Sequence, residues 1–290
     1  MADQSRPQLP LEPPVLDEVQ RLYLDLLKGT LTRFVTAGEA RAWSPGRYQK
    51  LVESALTGLQ VLFGVKGFRT VRATPFDPDL RREGRDWPLE AETMIGILRL
   101  ENLEAIVADV IHRDVPGDLV ETGVWRGGAA IFMKGILRAL GDRSRCVWAC
   151  DSFQGLPKPD AARHPADAGD QHWTHSVLAV SESDVRANFQ RYGLLDERVR
   201  FLPGWFEHSL PRAPIGTISV LRLDGDMYSS TKDALSALYP RISSGGYVVV
   251  DDYGAIPACR QAVDDYRNEH RITETIYTID WTGVYWRRGS

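Results

Sequence analysis

Hydrophobic positions fall into two textures along the chain, and the change comes near Pro116. Upstream they recur at three- and four-residue intervals. Val15, Leu16, Val19, Leu22, Leu26, Leu27, Leu31 and Phe34 form such a series, which predicts a helix over 15–35. A second helix is predicted over 45–63. A third is predicted over 89–111, opening at Pro88, because a first helical position has no use for the N–H that proline lacks. Between the last two, 64–88 is rich in Gly, Pro and Arg and reads as irregular. Residues 1–14 are polar and Pro-rich and read as disordered.

Downstream, short apolar runs alternate with helical patterns. Strands are predicted over 119–124, 146–150, 199–202, 218–223 and 247–250. Helices are predicted over 129–140, 182–192, 231–239 and 257–269, the second capped by Ser181 or Ser183. Runs 275–279 and 284–286, joined through 280–283, read as a closing hairpin. The alternation predicts an α/β fold, Rossmann-like, with a mostly parallel seven-stranded sheet ending in an antiparallel hairpin. The chain thus divides into a disordered 1–14, a helical 15–112 and an α/β domain over 113–290. One segment stands apart: GLPKPDAARHPADAGDQHWTHSVLAV, 155–180, is polar, loop-like and carries His164, His172 and His175. A loop of that length in a compact domain reads as a lid or binding loop.

Composition is ordinary for a globular chain, 43% hydrophobic and 26% charged over 290 residues. A net charge of −4 gives no basic footprint, so nucleic acid is not an expected partner. No apolar run is long enough to span a bilayer. The opening MADQSRPQLPLEPP lacks a basic-then-apolar leader pattern, so a cytoplasmic location is expected. Cys146, Cys150 and Cys259 fit no zinc spacing and read as reduced thiols.

The candidate chemistry lies at the carboxyl ends of the strands, where open α/β sheets bind ligands. The first strand runs into GDLVETGVWRGGAAIF, with Glu121-x-Gly123-x-x-x-Gly127. The dinucleotide fingerprint G-x-G-x-x-G is absent. The spacing present is that of S-adenosylmethionine (SAM) sites, where glycines admit the methionyl part of the cofactor and the Glu121 region meets its ammonium. A plain strand–helix turn without ligand is the alternative. Asp151, ending the second strand, is placed to accept ribose hydroxyl protons. Trp205 and Phe206, after the third, offer flat faces to an adenine, core packing being the alternative.

Two strands in succession end in doubled carboxylates, Asp224 and Asp226 in LRLDGDMY, Asp251 and Asp252 in VVVDDYG. Adjacent strands would bring the four together, and unpaired they would repel. A hard dication resolves the repulsion, and Mg²⁺ or Mn²⁺ suits an all-oxygen donor set. The alternative makes Asp224 a turn residue and Asp251 a helix cap. With a metal, the chemistry that follows is deprotonation of a hydroxyl and its attack on a sulfonium methyl. His172 or His175 competes as the base.

The stretches AETMIGILRLENL, GDLVETGVWRGGAAIFMKGIL, CDSFQGLP, VRANFQRYGLLDERVRFLPGWF, LRLDGDMYSSTKDAL, GGYVVVDDYGAIPACRQAVDDYR and DWTGVYWRR resemble, in order, those of the macrocin O-methyltransferase family. These are antibiotic-tailoring enzymes that methylate sugar hydroxyls, the novobiocin and mycinamicin enzymes among them. The resemblance covers the chain from about residue 88 onward. It implies a class I SAM-dependent methyltransferase fold, dependence on SAM and Mg²⁺, a glycosylated small-molecule substrate and a homodimer. It also implies an N-terminal helical region that serves as lid, acceptor site and dimer contact. Metal ligands carry over onto Asp224, Asp251 and Asp252, and the general base onto Asp226. Cofactor contacts carry over onto Thr93, Met94 and Ile95, then Glu121 and Thr122, Asp151 and Ser152, and Trp205 and Phe206; the turn glycines Gly123 and Gly127, and Asp224, count on the cofactor side too. Departures stand at Glu207-His208-Ser209 and Ser229, and the segment before about residue 70 matches poorly. The rival readings are a metal-dependent methyltransferase of a catechol or other vicinal diol, and a SAM-binding protein without turnover.

Overall fold

Local chemistry sets the first helix. In the computed structural model, which describes residues 11, 14–35, 40–42, 71–73, 76–88 and 90–289, α1 runs over Glu18–Leu31. Asp17 caps it: its carboxylate accepts from Gln20 N at 2.8 Å, while Gln20 Oε1 accepts from Asp17 N at 2.9 Å. Leu24, Leu27 and Leu31 form the buried face. A ribbon pairs Ala40–Ala42 with Val71–Ala73. The helix expected over 45–63 lies outside the described residues, as does nearly all of 1–14.

The stretch expected to be irregular contains a short helix, α2, over Pro78–Glu83. Asp77 caps it, Pro78 opens it, and Gly84 closes it at φ 66°. The third expected helix starts late: α3 spans Ile97–His112 rather than opening at Pro88. The backbone of 91–92 is engaged elsewhere. Ala91 O accepts from Arg126 Nη1 at 3.0 Å, Glu92 O from Gly128 N at 2.9 Å, and Glu92 N donates to Leu31 O at 3.1 Å. Peptide groups committed to neighbouring elements cannot close helical turns. Gly96 then sits so close to the α2–Gly84 corner that a Cβ would lie 2.3 Å from Arg82 O.

Seven strands follow in the expected places: β1 Asp118–Thr122, β2 Val147–Asp151, β3 Val199–Pro203, β4 Ile218–Leu223, β5 Ile242–Val250, β6 Tyr277–Thr278 and β7 Val284–Arg287. Their order is β3-β2-β1-β4-β5-β7-β6. Strands β3 through β5 are parallel, and β7 is antiparallel to both neighbours. The helices between them are α4 Gly128–Ala139, α5 Glu182–Arg191, α6 Phe206–Ser209, α7 Tyr228–Leu238 and α8 Pro257–Glu269.

Alternate strand residues feed two cores. Leu119, Ala149, Val220 and Val249 pack with α1, α3, α4 and α5; Val120, Cys150, Leu221, Val248 and Val250 pack with α7 and α8. The three cysteines are free thiols. The strand order reverses beside β1, so the connections that leave β1 and β4 run to opposite faces of the sheet. Gln20 Nε2 ties α1 to α4 through Ala139 O at 2.9 Å. Among the described residues no helix is long and apolar enough to cross a membrane.

Candidate active site

A cavity of about 400 Å³ opens at the carboxyl edge of the sheet. Of the expected site residues, Met94, Gly123, Asp151, Ser152, Trp205, Phe206, Asp224 and Asp226 line it, together with Trp125 and one wall from the loop 155–180. Thr93, Ile95, Glu121, Thr122, Gly127, Asp251 and Asp252 are not in its wall. Thr93 turns its hydroxyl to Ile95 N at 3.2 Å, Ile95 packs in the core, and Glu121 and Thr122 are buried within β1.

Gly123 shows why the turn needs glycine. Its φ is 84°, and a Cβ there would stand 1.8 Å from Asp224 O. The β1 turn is therefore pressed directly against the β4 turn. Gly127, at φ 86°, begins α4 beneath Val185, where a Cβ would meet Cγ1 at 2.7 Å. Asp151 is anchored by the backbone around it: Oδ2 accepts from Val124 N and Oδ1 from Phe153 N, both at 2.7 Å. Burial pushes its carboxyl up, and these N–H groups offset part of the rise. Ser152 Oγ adds a longer bond to Oδ1 at 3.4 Å.

The four aspartates converge, but unequally. One oxygen each from Asp224, Asp226 and Asp252 lie within 4.8 Å of one another. Asp252 Oδ2 is buried without a hydrogen-bond partner. Burial, then the charge of Asp224, pushes Asp226 up to about 7. Burial and the facing carboxylates raise Asp224 and, more strongly, Asp252. A crowded set of carboxyl oxygens with an orphaned buried acceptor fits a hard dication.

Asp251 is in a different state. Arg222 Nη2 donates to its Oδ1 at 2.6 Å, and Arg99 Nη1 donates to its Oδ2. Burial works to raise its carboxyl, but the two guanidinium groups outweigh it and hold it below the usual range. The carry-over set Asp251 beside Asp224 and Asp252, with Asp226 apart. In the structure Asp226 stands in the compact trio, because the arginines draw both Asp251 oxygens toward themselves. Lone pairs remain on those oxygens, since a carboxylate has about four acceptor sites and two are taken.

Reasoning from sequence missed Arg99 and Arg222. A signal existed for one: Arg222 interrupts the apolar run ISVLRL and is 1% exposed. It also missed Asp167. This buried loop carboxylate accepts from Tyr228 N at 2.6 Å and Ser229 N at 3.0 Å, capping α7, whose own N-cap Met227 has no side-chain acceptor. Of the loop histidines, His172 pairs with Asp170 at 2.6 Å. Burial lowers its pKa, but the Asp170 bond and the Asp170 and Asp226 charges raise it overall. Glu207 and Ser229, where the pattern departs, both line the cavity, and Glu207 meets Arg163 at 3.2 Å.

Comparison with known proteins bears on this arrangement. A family model described as macrocin-O-methyltransferase (TylF) matches residues 20–288. The match thus includes the span before residue 70. The demethyldecarbamoylnovobiocin O-methyltransferase of Streptomyces niveus is 58% identical over 221 residues, 75% of this chain and 83% of that protein. The mycinamicin III 3''-O-methyltransferase of Micromonospora griseorubida is 46% identical over 272 residues, 93% and 97% of the two chains. The solved structure of the O-methyltransferase NovP is similar at a TM-score of 0.76 and 49% identity, covering 93% of this chain and all of that one, 100%.

Proposed function

The chain belongs to the macrocin O-methyltransferase family, and we propose that, as a SAM-dependent enzyme, it methylates a hydroxyl of a deoxysugar on a glycosylated natural product with the help of Mg²⁺ or Mn²⁺. Relatives named for novobiocin and mycinamicin acceptors support the sugar substrate. The observation that carries the metal reading is the convergence of Asp224, Asp226 and Asp252 within 4.8 Å at the cavity lined by Gly123, Asp151 and Trp205.

In this reading Asp224 and Asp252 hold the ion, and Asp251 joins them through the lone pairs its arginines leave. A dication held there supplies charge that lowers the pKa of a neighbouring alcohol. Asp226 takes the hydroxyl proton as the oxygen accepts the methyl from the sulfonium; the products are an ether and S-adenosylhomocysteine. Without a metal the Asp226 carboxyl is raised to about 7; a dication beside it would lower that value and keep Asp226 ionised, ready to accept the proton. Asp151 accepts from the ribose hydroxyls, Trp205 and Phe206 flank the adenine, and the Gly123 turn and Met94 border the methionyl part. The N-terminal helical region closes the acceptor side of a cytoplasmic homodimer, which light scattering of the purified chain tests.

The substrate reading is tested by supplying glycosylated natural products and their aglycones with SAM and identifying products by mass spectrometry. Methyl ether on the sugar is expected. Methylation of an aglycone diol with no action on the sugar overturns it. Full turnover in EDTA overturns the metal.

A further inference from the structure

Arg222 lies in the middle of the sheet, 1% exposed, on β4. A guanidinium is tolerated there only when its charge and its N–H groups are matched. Three acids match it. Nη1 is 2.5 Å from Glu121 Oε1 and 2.9 Å from Asp224 Oδ2, and Nη2 is 2.6 Å from Asp251 Oδ1. These acids stand at the ends of three adjacent strands, β1, β4 and β5. Glu121 belongs to the glycine turn on the cofactor side. Asp224 belongs to the carboxylate cluster, and Asp251 immediately precedes Asp252.

The far side of this set is also fixed. Arg99 from α3 takes the other oxygen of Asp251, and its Nε donates to Asp280 Oδ2 at 2.9 Å. Asp251 is therefore gripped from two directions. Glu121 is gripped on one side, and its Oε2 is buried and unpartnered. Simple charge balance needs no such geometry, since any buried cation supplies it. Holding three carboxylates from three strands at fixed angles needs a rigid planar fork, which arginine has and lysine lacks.

We propose that Arg222 is a positioning residue that holds the Glu121 carboxylate of the cofactor turn and the Asp224 and Asp251 carboxylates of the metal cluster in one register, so that cofactor and metal are aligned to each other through a single side chain. The inference rests on the metal reading above. It extends that reading to a residue that touches neither cofactor nor acceptor.

Arg222→Lys tests it, because the charge is kept and the fork is lost. Mn²⁺ affinity is measured by electron paramagnetic resonance without cofactor, and S-adenosylhomocysteine affinity by calorimetry without metal, on the full chain with thermal unfolding as the control for folding. Both affinities are expected to fall, that for Mn²⁺ by roughly ten- to a hundredfold, the usual effect of removing a partner that orients a ligand. A folded Lys variant that binds both as the wild type does overturns the inference, since Arg222 is then a counter-charge only. Should that variant not fold, the isosteric Glu121→Gln decides: weaker Mn²⁺ binding without cofactor supports the shared register, and unchanged binding overturns it. Wild-type protein that binds no Mn²⁺ overturns the metal reading and this inference with it. Wild-type binding beside an unaltered Lys variant overturns the inference alone.

Discussion

Asp151 and Asp252 stand at the carboxyl ends of two strands of one sheet, β2 and β5, and burial raises both carboxyls, yet what surrounds them differs. Asp151 is surrounded by backbone donors, from Val124 on the neighbouring turn and from Phe153 two residues on. Asp252 has other carboxylates around it, and one of its oxygens is buried with no donor at all. A carboxylate already satisfied by N–H groups is suited to accept hydrogen bonds from an uncharged ligand edge such as a ribose. A carboxylate among carboxylates calls for a cation. The two sides of the site thus differ in what their acids lack, though both are built from aspartates at strand ends.

The contrast is broken most severely by taking the metal away. Excess EDTA is expected to abolish turnover, with recovery on adding Mg²⁺, while S-adenosylhomocysteine still binds by calorimetry. Asp226→Asn comes next: kcat falls about 10²- to 10⁴-fold, the range of a lost general base, with cofactor affinity unchanged. Asp151→Asn gives the mirror result, a raised KM for SAM with Mn²⁺ affinity intact. Gly123→Ala attacks the contact between the halves, because its Cβ would stand 1.8 Å from Asp224 O. A loss on the order of 3 kcal/mol in denaturant unfolding is expected from that overpacking and the positive φ.

The smallest effects test the edges of the contrast. Asp167→Ala removes the cap that the loop supplies to α7 beside Asp226 and is expected to cost about 1 kcal/mol, read by urea unfolding. The pH dependence of the metal-free protein is the finest probe. Asp226 titrates at about 7 in the fold and near ~4 in the unfolded chain. The folded state then holds the proton more tightly, so this contribution is complete below ~4 and is lost as pH rises through about 7. Unfolding temperatures of metal-free protein should fall over that window, and Mg²⁺ should flatten the curve.

How much of this was legible varies by element. The strands were legible because a mostly parallel sheet buries both faces of each strand and leaves near-continuous apolar runs. Helix α1 was legible from its stripe and α4 from the glycine turn before it. Helix α2 carried its signals in plain view, Asp77-Pro78 before it and Gly84 after it, but its six residues are too few to show a period. The late start of α3 was not legible. It depends on Leu31, Arg126 and Gly128 claiming the peptide groups of 91–92, and those residues lie far away in the sequence.

The sequence by itself determined the strand-and-helix order, the glycines the β1 turn requires, and the crowding of four acids at two consecutive strand ends. Those properties follow from local patterns of period two or 3.6 and from backbone angles that only certain residues accept. Only the tertiary structure decided which acids are partnered. Asp251 and Asp252 are neighbours in the chain, in the bend that follows β5. Yet one meets Arg99 and Arg222 while the other meets Asp224 and Asp226. The state of a buried carboxylate is set by charges a few ångströms away in space, which may come from anywhere in the sequence.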